Sequence, residues 1–273
     1  MEPERDLPWR RTRDPWSILV AETMLQQTQV PRVITSWRRF LETMATPAAC
    51  ARASRADVVR AWEGLGYHRR AVRLHRAAQV IVAHHGGEVP GQLEELMALP
   101  GVGAYSARAV LAFAFEEDVA VVDTNVARVL SRAIAGRPLG ARASQTLADR
   151  LVTRGRGWAH NQAMLDLGAL HCKARPRCDT CPLRRSCRWK RSGQLEPDPA
   201  LTTAGTSRPQ PAFKGSAREL RGLILAVARD EAGEGAWRGE LEGRFGAASV
   251  ERALDALVAD GLVERRGERV VLA

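Results

Sequence analysis

The sequence predicts a mostly α-helical chain that closes with a small helix-and-hairpin module. Three observations carry that prediction. From Trp16 to about Trp189, Ala-, Leu- and Arg-rich amphipathic stretches follow one another, with no alternating apolar–polar run of useful length. Between Ser192 and Phe213 the periodicity lapses, and Pro197, Pro199, Pro209 and Pro211 stand among Gly, Ser and Thr, the composition of a linker. Beyond it, three short helical patterns lead into Leu262–Val271, which reads as a hairpin turning at Gly267. The expected organisation is a helical core over residues 1–191, a linker over 192–213 and a module over 214–273.

The elements follow in order. Asp14-Pro15 is a helix start, a capping residue followed by Pro at the first helical position. The helix it opens is expected to run through Ile18, Leu19 and Glu22 toward Gln29. Glu22, Gln26 and Gln29 would then share one face at i, i+4 and i+7. Further helices are expected over residues 56–63, 69–84, 92–98, 104–114, 124–134, 143–153 and 158–169. In the terminal module, Ala217–Ala228 carries Leu220, Leu223, Ile224 and Val227 on one face. A second helix is expected at Arg238–Arg244 and a third at Val250–Asp260. Three helices and a hairpin make a winged-helix-like module; a plain helical tail is the simpler competitor.

The totals narrow the partner. At 273 residues the chain suits two or three domains, and 45% hydrophobic residues supply ample core. A formal net charge of +10 predicts attraction to polyanions, with phosphate contacts driving a salt-dependent affinity. No run approaches the ~20 apolar residues of a membrane span. Met1 to Asp6 is charged and lacks the apolar core of a secretory signal. A monomer in the cytoplasm, where thiols stay reduced, is the expectation, so disulfides are disfavoured.

Cys50 stands apart, whereas Cys172, Cys178, Cys181 and Cys187 fall within one short loop. Four thiolates so close together call for a metal. Structural zinc usually takes two close pairs set far apart. Here only Cys178 and Cys181 form a close pair, flanked at five-residue gaps, and a single compact loop suits the separated corners of a [4Fe–4S] cube better than zinc. Lys173, Arg175, Arg177, Arg184, Arg185, Arg188, Lys190 and Arg191 crowd the loop. They would face phosphates, offset the charge of a thiolate-bound cluster, or both.

Leu99-Pro100-Gly101-Val102-Gly103 lies between two expected helices. It lacks the third Gly and the preceding strand of a dinucleotide fingerprint. Glycines at 101 and 103 would let backbone amides approach phosphates. Twenty residues on, Asp123 ends an apolar run and opens a helix, so capping alone would explain it in isolation.

Taken together, that hairpin, Asp123 at this spacing, Gly64-Leu65-Gly66-Tyr67 and the cysteine loop resemble the helix–hairpin–helix DNA glycosylase superfamily, in its endonuclease III and MutY branch. The resemblance covers about residues 7–190. It implies a two-lobed fold, a [4Fe–4S] cofactor on the four cysteines, and Asp123 as a catalytic aspartate. Three features point to the adenine-removing MutY family. Tyr105 occupies the position where strand-cleaving relatives carry the Schiff-base lysine, and a phenol cannot form that adduct. Glu22-Thr23-Met24-Leu25-Gln26-Gln27-Thr28-Gln29-Val30 is similar to the family's characteristic segment. Leu7-Pro8-Trp9-Arg10 resembles its opening motif, which would set Arg10 at the adenine pocket.

The implied chemistry is hydrolysis of the glycosidic bond of an extruded adenine mispaired in duplex DNA. Glu22, among Leu19, Val20, Met24 and Leu25, would be partly buried, and burial favours the protonated carboxyl that donates to N7. Asp123, ionised, would stabilise the oxocarbenium-like sugar. Tyr105 and Asn125 would support the sugar side. Gln26, Gln27 and Tyr67 would contact the DNA around the gap, and Gly101 and Gly103 its backbone. Residues 214–273 are too few for the Nudix-like domain with which many family members read 8-oxoguanine, so preference for 8-oxoguanine or G opposite adenine comes from the resemblance alone. The enzymatic rival is removal of T or U opposite G; the non-enzymatic one is a DNA-binding protein with a metal loop.

Overall fold

The computed structural model describes residues 5–204, 212–229, 236–267 and 269–273. Pro209, Pro211 and the rest of 205–211, expected as linker, lie outside the described residues, as does Glu268 of the expected hairpin. Among the described residues no helix is long and apolar enough to cross a membrane. The chain divides into two compact units.

The first unit comprises residues 1–19, 91–97 and 102–209. It opens with a 3-10 turn at Pro8–Arg10 and the start of α1 (Pro15–Leu25). Asp14 caps that helix, its Oδ2 accepting Ser17 N–H at 2.8 Å. Next come α6 (Leu93–Ala98), whose last residue lies in the other unit, and α7 (Ala104–Phe113). α8 (Thr124–Val129) widens into a π-helical turn at Leu130–Ala135. α9 (Ala141–Leu151) follows, then α10 (Gly157–Asp166), which widens at Leu167–His171, and the short α11 (Arg188–Arg191). Ala120, Val126, Leu130, Leu139 and Ala148 form one of its buried clusters.

The second unit comprises residues 20–90, 98–101 and 210–273. It holds the end of α1, then α2 (Val30–Thr43), α3 (Pro47–Arg52), α4 (Arg55–Ala61) and α5 (Arg69–His84). After the break come α12 (Ala217–Arg229), α13 (Ala236–Phe245), α14 (Ala247–Ala259) and an antiparallel hairpin of β1 (Val263–Arg266) and β2 (Arg269–Leu272). The hairpin pairs Val263 with Leu272 and Arg266 with Arg269. Leu220, Ile224, Leu241, Val250, Leu254, Leu257, Val263 and Val270 bury one core together with Val59 of α4 and Val72 of α5. Asp260 accepts from Arg69 at 3.1 Å and from Arg221, tying α5, α12 and the end of α14 together.

Three expectations are corrected. The first helix ends at Leu25, so Gln26 and Gln29 do not share its face with Glu22. Gln27 turns left-handed at φ 58°, and Pro31 sits in the first turn of the next helix. α2 and α3 were not expected at all. Val30, Val33, Ile34 and Thr35 weaken the helical signal of α2, although Thr46, accepting Ala49 N–H at 3.1 Å before Pro47, marks α3. Residues 192–204 are not a free linker. Thr203 Oγ1 accepts Leu139 N–H at 3.1 Å, and Asp198, buried, pairs with Arg132.

Candidate active site and cysteine loop

In the first unit, the apolar run Val119–Val122 belongs to no helix or strand, and side chains of α9 and α10, Asn161 chief among them, satisfy its backbone. Asn161 Oδ1 accepts Val121 N–H at 2.8 Å and its Nδ2 donates to Val119 O at 2.8 Å. The run delivers Asp123 to the start of α8. Asp123 Oδ1 accepts Val126 N–H at 2.7 Å, the expected cap, and Oδ2 accepts from Asn125 Nδ2 at 2.6 Å. Arg128 fixes the amide's orientation by donating to Asn125 Oδ1 at 2.7 Å, and its Nε donates to Cys172 O at 2.8 Å. Burial pushes the Asp123 carboxyl above its ordinary pKa, against the pull of the Val126 and Asn125 hydrogen bonds and the Arg128 charge. The carboxylate that caps α8 is thus also held in one orientation by side chains of the same turn.

Gly168 makes this arrangement possible. A Cβ there would stand 2.6 Å from both Asn125 Cβ and Asn125 O. Only glycine lets α10's extension lie so close to the turn that carries Asp123. Tyr105 is half-buried on the first turn of α7. Gly103, the cap of that helix, is extended at φ −97°, a conformation open to any residue, whereas Gly101, in the second unit, turns at φ +83° against Arg73. Of the two hairpin glycines, only Gly101 has a backbone that demands one. Arg10 forks onto Asp166 at 2.8 and 2.6 Å, so its charge is already matched.

In the second unit, Glu22 is 5% exposed on the buried part of α1, beside Val20 and Met24, which are fully buried. Gln26 and Gln27 lie on the turn after it, and Tyr67, 39% exposed, on the turn Gly64–Tyr67. Gln27 and Tyr67 both hold positive φ, 58° and 50°. Such backbone costs about 1–2 kcal/mol per non-glycine residue and persists only where neighbours enforce it. Arg70 enforces both. Only 7% exposed, it donates to the carbonyls of Thr23 and Met24 at 2.8 Å each, to Gln26 O, to Thr28 Oγ1 at 2.9 Å and to Gly66 O at 3.0 Å. One guanidinium thus organises the turn with the two glutamines and the turn with the tyrosine. Burial lowers its pKa to about 10, which leaves it charged at neutral pH.

The four cysteines of the loop line one small pocket in the first unit, with Arg132, Arg177, Arg184 and Lys190 also in its lining. Arg132, 2% exposed, lies beneath it. It donates to Lys173 O at 2.6 Å and Ala174 O at 3.1 Å, reaches Cys172 Sγ at 3.6 Å, and is held by Asp198 and by the Trp189 ring. Gln194 Nε2 reaches Cys178 Sγ at 3.7 Å. Among the described residues no group of three or more His, Cys, Asp or Glu converges tightly enough for a single ion. Cys50 is a core thiol, pushed up to about 12 by burial.

Arg70, Arg128, Arg132, Asn161 and Gly168 did not stand out in the sequence. Only Gly168 carried a local signal, a glycine inside a helical run, which often marks close backbone approach.

A half-buried cap carboxylate, a hairpin between two helices and a four-cysteine loop are the parts expected of a base-excision enzyme, and the comparisons place the chain in that class. The profile of the HhH-GPD superfamily base excision DNA repair protein matches residues 20–151. A thermostable thymine-DNA glycosylase superposes with a TM-score of 0.65 at 29% identity, over 70% of this chain and 91% of that one. A trapped endonuclease III–DNA covalent intermediate superposes with a TM-score of 0.61 at 27% identity, over 67% and 88%. An adenine DNA glycosylase of Mycobacterium tuberculosis is 44% identical over 270 residues, 96% of this chain and 86% of its own. The chain belongs to the adenine DNA glycosylase (MutY) family of helix–hairpin–helix glycosylases.

Proposed function

We propose that this protein releases adenine from duplex DNA by hydrolysing its glycosidic bond, with adenine opposite 8-oxoguanine or G as the substrate, and that it acts as a monomer. The observation that carries the reading is Asp123, a carboxylate buried enough to act strongly on a neighbouring cation yet oriented by Val126, Asn125 and Arg128. Fixed charge in a site of low polarity stabilises a developing cation without reorganisation, and such groups typically contribute roughly 3–4 kcal/mol. Glu22, carried on α1, donates its proton to adenine N7. The C1′–N9 bond then breaks with the electron pair leaving on the base. Asp123 stabilises the sugar cation, and water adds at C1′ to leave an abasic site. Tyr105 cannot attack C1′ as an amine would, so strand cleavage is not expected. Asn125 holds the carboxylate, and Arg10, matched by Asp166, lines the base side as a neutral pair. Gln26, Gln27, Tyr67, Gly101 and Gly103 contact the DNA.

The loop fits a [4Fe–4S] cluster. Its donors are four thiols around one pocket rather than about one point, and the surrounding arginines and Lys190 offset the charge that four thiolates bring. Cys172, Cys178, Cys181 and Cys187 would hold the group, which when bound supplies a rigid electrostatic and structural anchor for the loop. Residues 1–191 are read as the glycosylase core and 214–273 as a winged-helix-like module that shares its core with α4 and α5.

A panel of duplexes with A opposite 8-oxoguanine, A opposite G, T opposite G and U opposite G tests the assignment. Adenine release alone is expected, with Glu22→Gln and Asp123→Asn binding DNA but releasing at most about a thousandth as fast. Release of T or U in place of adenine, or full activity of either variant, overturns it.

A further inference from the structure

The chain does not leave the cysteine loop at Cys187. α11 ends at Arg191, and two successive left-handed residues, Gly193 at φ 77° and Gln194 at φ 58°, turn the following stretch back toward the loop. Trp189 ties that turn down on both sides of Gln194. Its carbonyl accepts Gln194 N–H at 2.9 Å, and its Nε1 donates to Leu195 O at 2.9 Å. Trp189 is itself buried and lies against Arg132. Glycine and asparagine take left-handed backbone at least cost. A glutamine at this position calls for a reason in its side chain.

The side chain supplies one. Gln194 is half-buried between exposed neighbours, Gly193 and Leu195. Its Oε1 accepts from Lys190 Nζ at 3.1 Å, and its Nε2 lies 3.7 Å from Cys178 Sγ. The cation decides which way the amide faces. An ammonium has only donors, so it takes the carbonyl oxygen and leaves the NH2 group to the sulfur. The flipped amide would set N–H against ammonium and oxygen against thiolate. From beneath the loop, Arg132 Nη1 stands 3.6 Å from Cys172 Sγ. Cys172 and Cys178 thus each meet a side-chain donor from outside the loop.

We propose that Gln194 donates an N–H···S hydrogen bond to the Cys178 thiolate of the proposed cluster and, with Lys190 fixing its amide, sets the midpoint at which that cluster exchanges an electron. The inference rests on the cluster reading of the loop. An N–H dipole aimed at sulfur is drawn most strongly to the more negative, reduced group, and hydrogen bonds to ligand sulfurs are among the determinants of cluster potential. Removing the donor therefore lowers the midpoint. Arg132 acts in the same sense on Cys172, but it also holds Asp198 and two carbonyls, so Gln194 is the cleaner probe.

Voltammetry tests it. Full-length protein is prepared without oxygen, and its iron and acid-labile sulfide are counted before the midpoint is measured. Gln194→Asn is the decisive variant. Asparagine suits left-handed backbone, so the turn keeps its shape, while the amide is one methylene too short to span Lys190 and Cys178. Its oxidised-to-reduced ratio at a fixed potential is expected to rise about tenfold, a midpoint lower by about 59 mV for one electron. Gln194→Glu keeps the length but faces the sulfur with an oxygen, and is expected to lower the midpoint further. Lys190→Met is expected to lower it as well, and to shrink the effect of Gln194→Asn to less than half in its background. Leu195→Ala, exposed in the same stretch, is expected to leave it in place. A ratio for Gln194→Asn within twofold of the unaltered protein, or an equal shift in Leu195→Ala, overturns the proposal. Iron and sulfide in the amounts of a [4Fe–4S] cluster with an unmoved midpoint sink this inference alone. Zinc, or no iron, in the unaltered protein sinks the cluster reading and the inference with it.

Discussion

A single methyl group at position 168 should slow base release while leaving DNA affinity nearly intact. The added Cβ of Gly168→Ala would lie 2.6 Å from Asn125 Cβ and from Asn125 O, and 2.7 Å from Asn125 C. Carbon atoms pack at about 3.5 Å or more, so the Asp123–Asn125 turn and the helix must part by roughly 0.9 Å. The Asn125 Nδ2 to Asp123 Oδ2 bond, now 2.6 Å, would stretch to about 3.5 Å if Asn125 is pushed away from Asp123 by that amount, beyond useful hydrogen-bond length. A hydrogen bond to a charged group contributes about 1.5–3 kcal/mol, which corresponds to a rate lower by about 10- to 150-fold. Overpacking adds about 1–3 kcal/mol of destabilisation, a melting point lower by about 2–12 °C for a chain of this size. Single-turnover release of adenine and thermal unfolding are the two measurements. Gly140→Ala is the control, since its backbone at φ −72° suits alanine and nothing stands within 4 Å of the new atom. A Gly168→Ala rate within threefold of the unaltered protein would refute the reasoning.

Other predictions rest on the same geometry. Because burial raises the pKa of Asp123, its ionised form is lost as pH falls through a value above the ordinary aspartate range. The acid limb of the single-turnover profile should lie there and move to higher pH in Asn125→Ala; a limb in the ordinary range contradicts this. The stability effect has the opposite sign. The folded state binds this proton more tightly than the unfolded chain, so between the two pKa values acidification adds stability while activity falls. Arg70→Met should cost about 3–5 kcal/mol in urea unfolding, since it strips donors from buried carbonyls of two turns, with Arg70→Lys recovering only part; a loss under 1 kcal/mol would show the turns stand without it. Asp198→Asn, which leaves Arg132 buried without its anion, should release iron to a chelator faster and weaken the visible absorbance of loaded protein; unchanged release contradicts a role for residues 192–204 in securing the loop.

What was legible locally was accurate where the determinant is local. Caps at Asp14 and Asp123, the Gly267 turn and the apolar faces of α5, α12 and α14 follow from short-range chemistry, and the structure places them within a few residues of expectation. The first helix is shorter than its periodicity through Gln29 predicts, because the turn at Gln27 is enforced by Arg70, more than forty residues away. The Pro-containing stretch after the cysteines read as linker by composition. Its described part is packed because Asp198 and Thr203 find partners at Arg132 and Leu139, far back in the chain.

The sequence by itself determined the family, since that depends on residue types and their spacing along the chain, and it named the four cysteines and two carboxylates on which the proposed chemistry rests. Tertiary structure alone decided the close approach of Gly168 to the turn that carries Asp123, and the hold of Arg70 on the turns of Gln27 and Tyr67. The physical reason is the same in each case. Hydrogen bonds, ion pairs and steric exclusions act over a few ångströms between groups more than forty residues apart in the chain, a pairing no local pattern encodes.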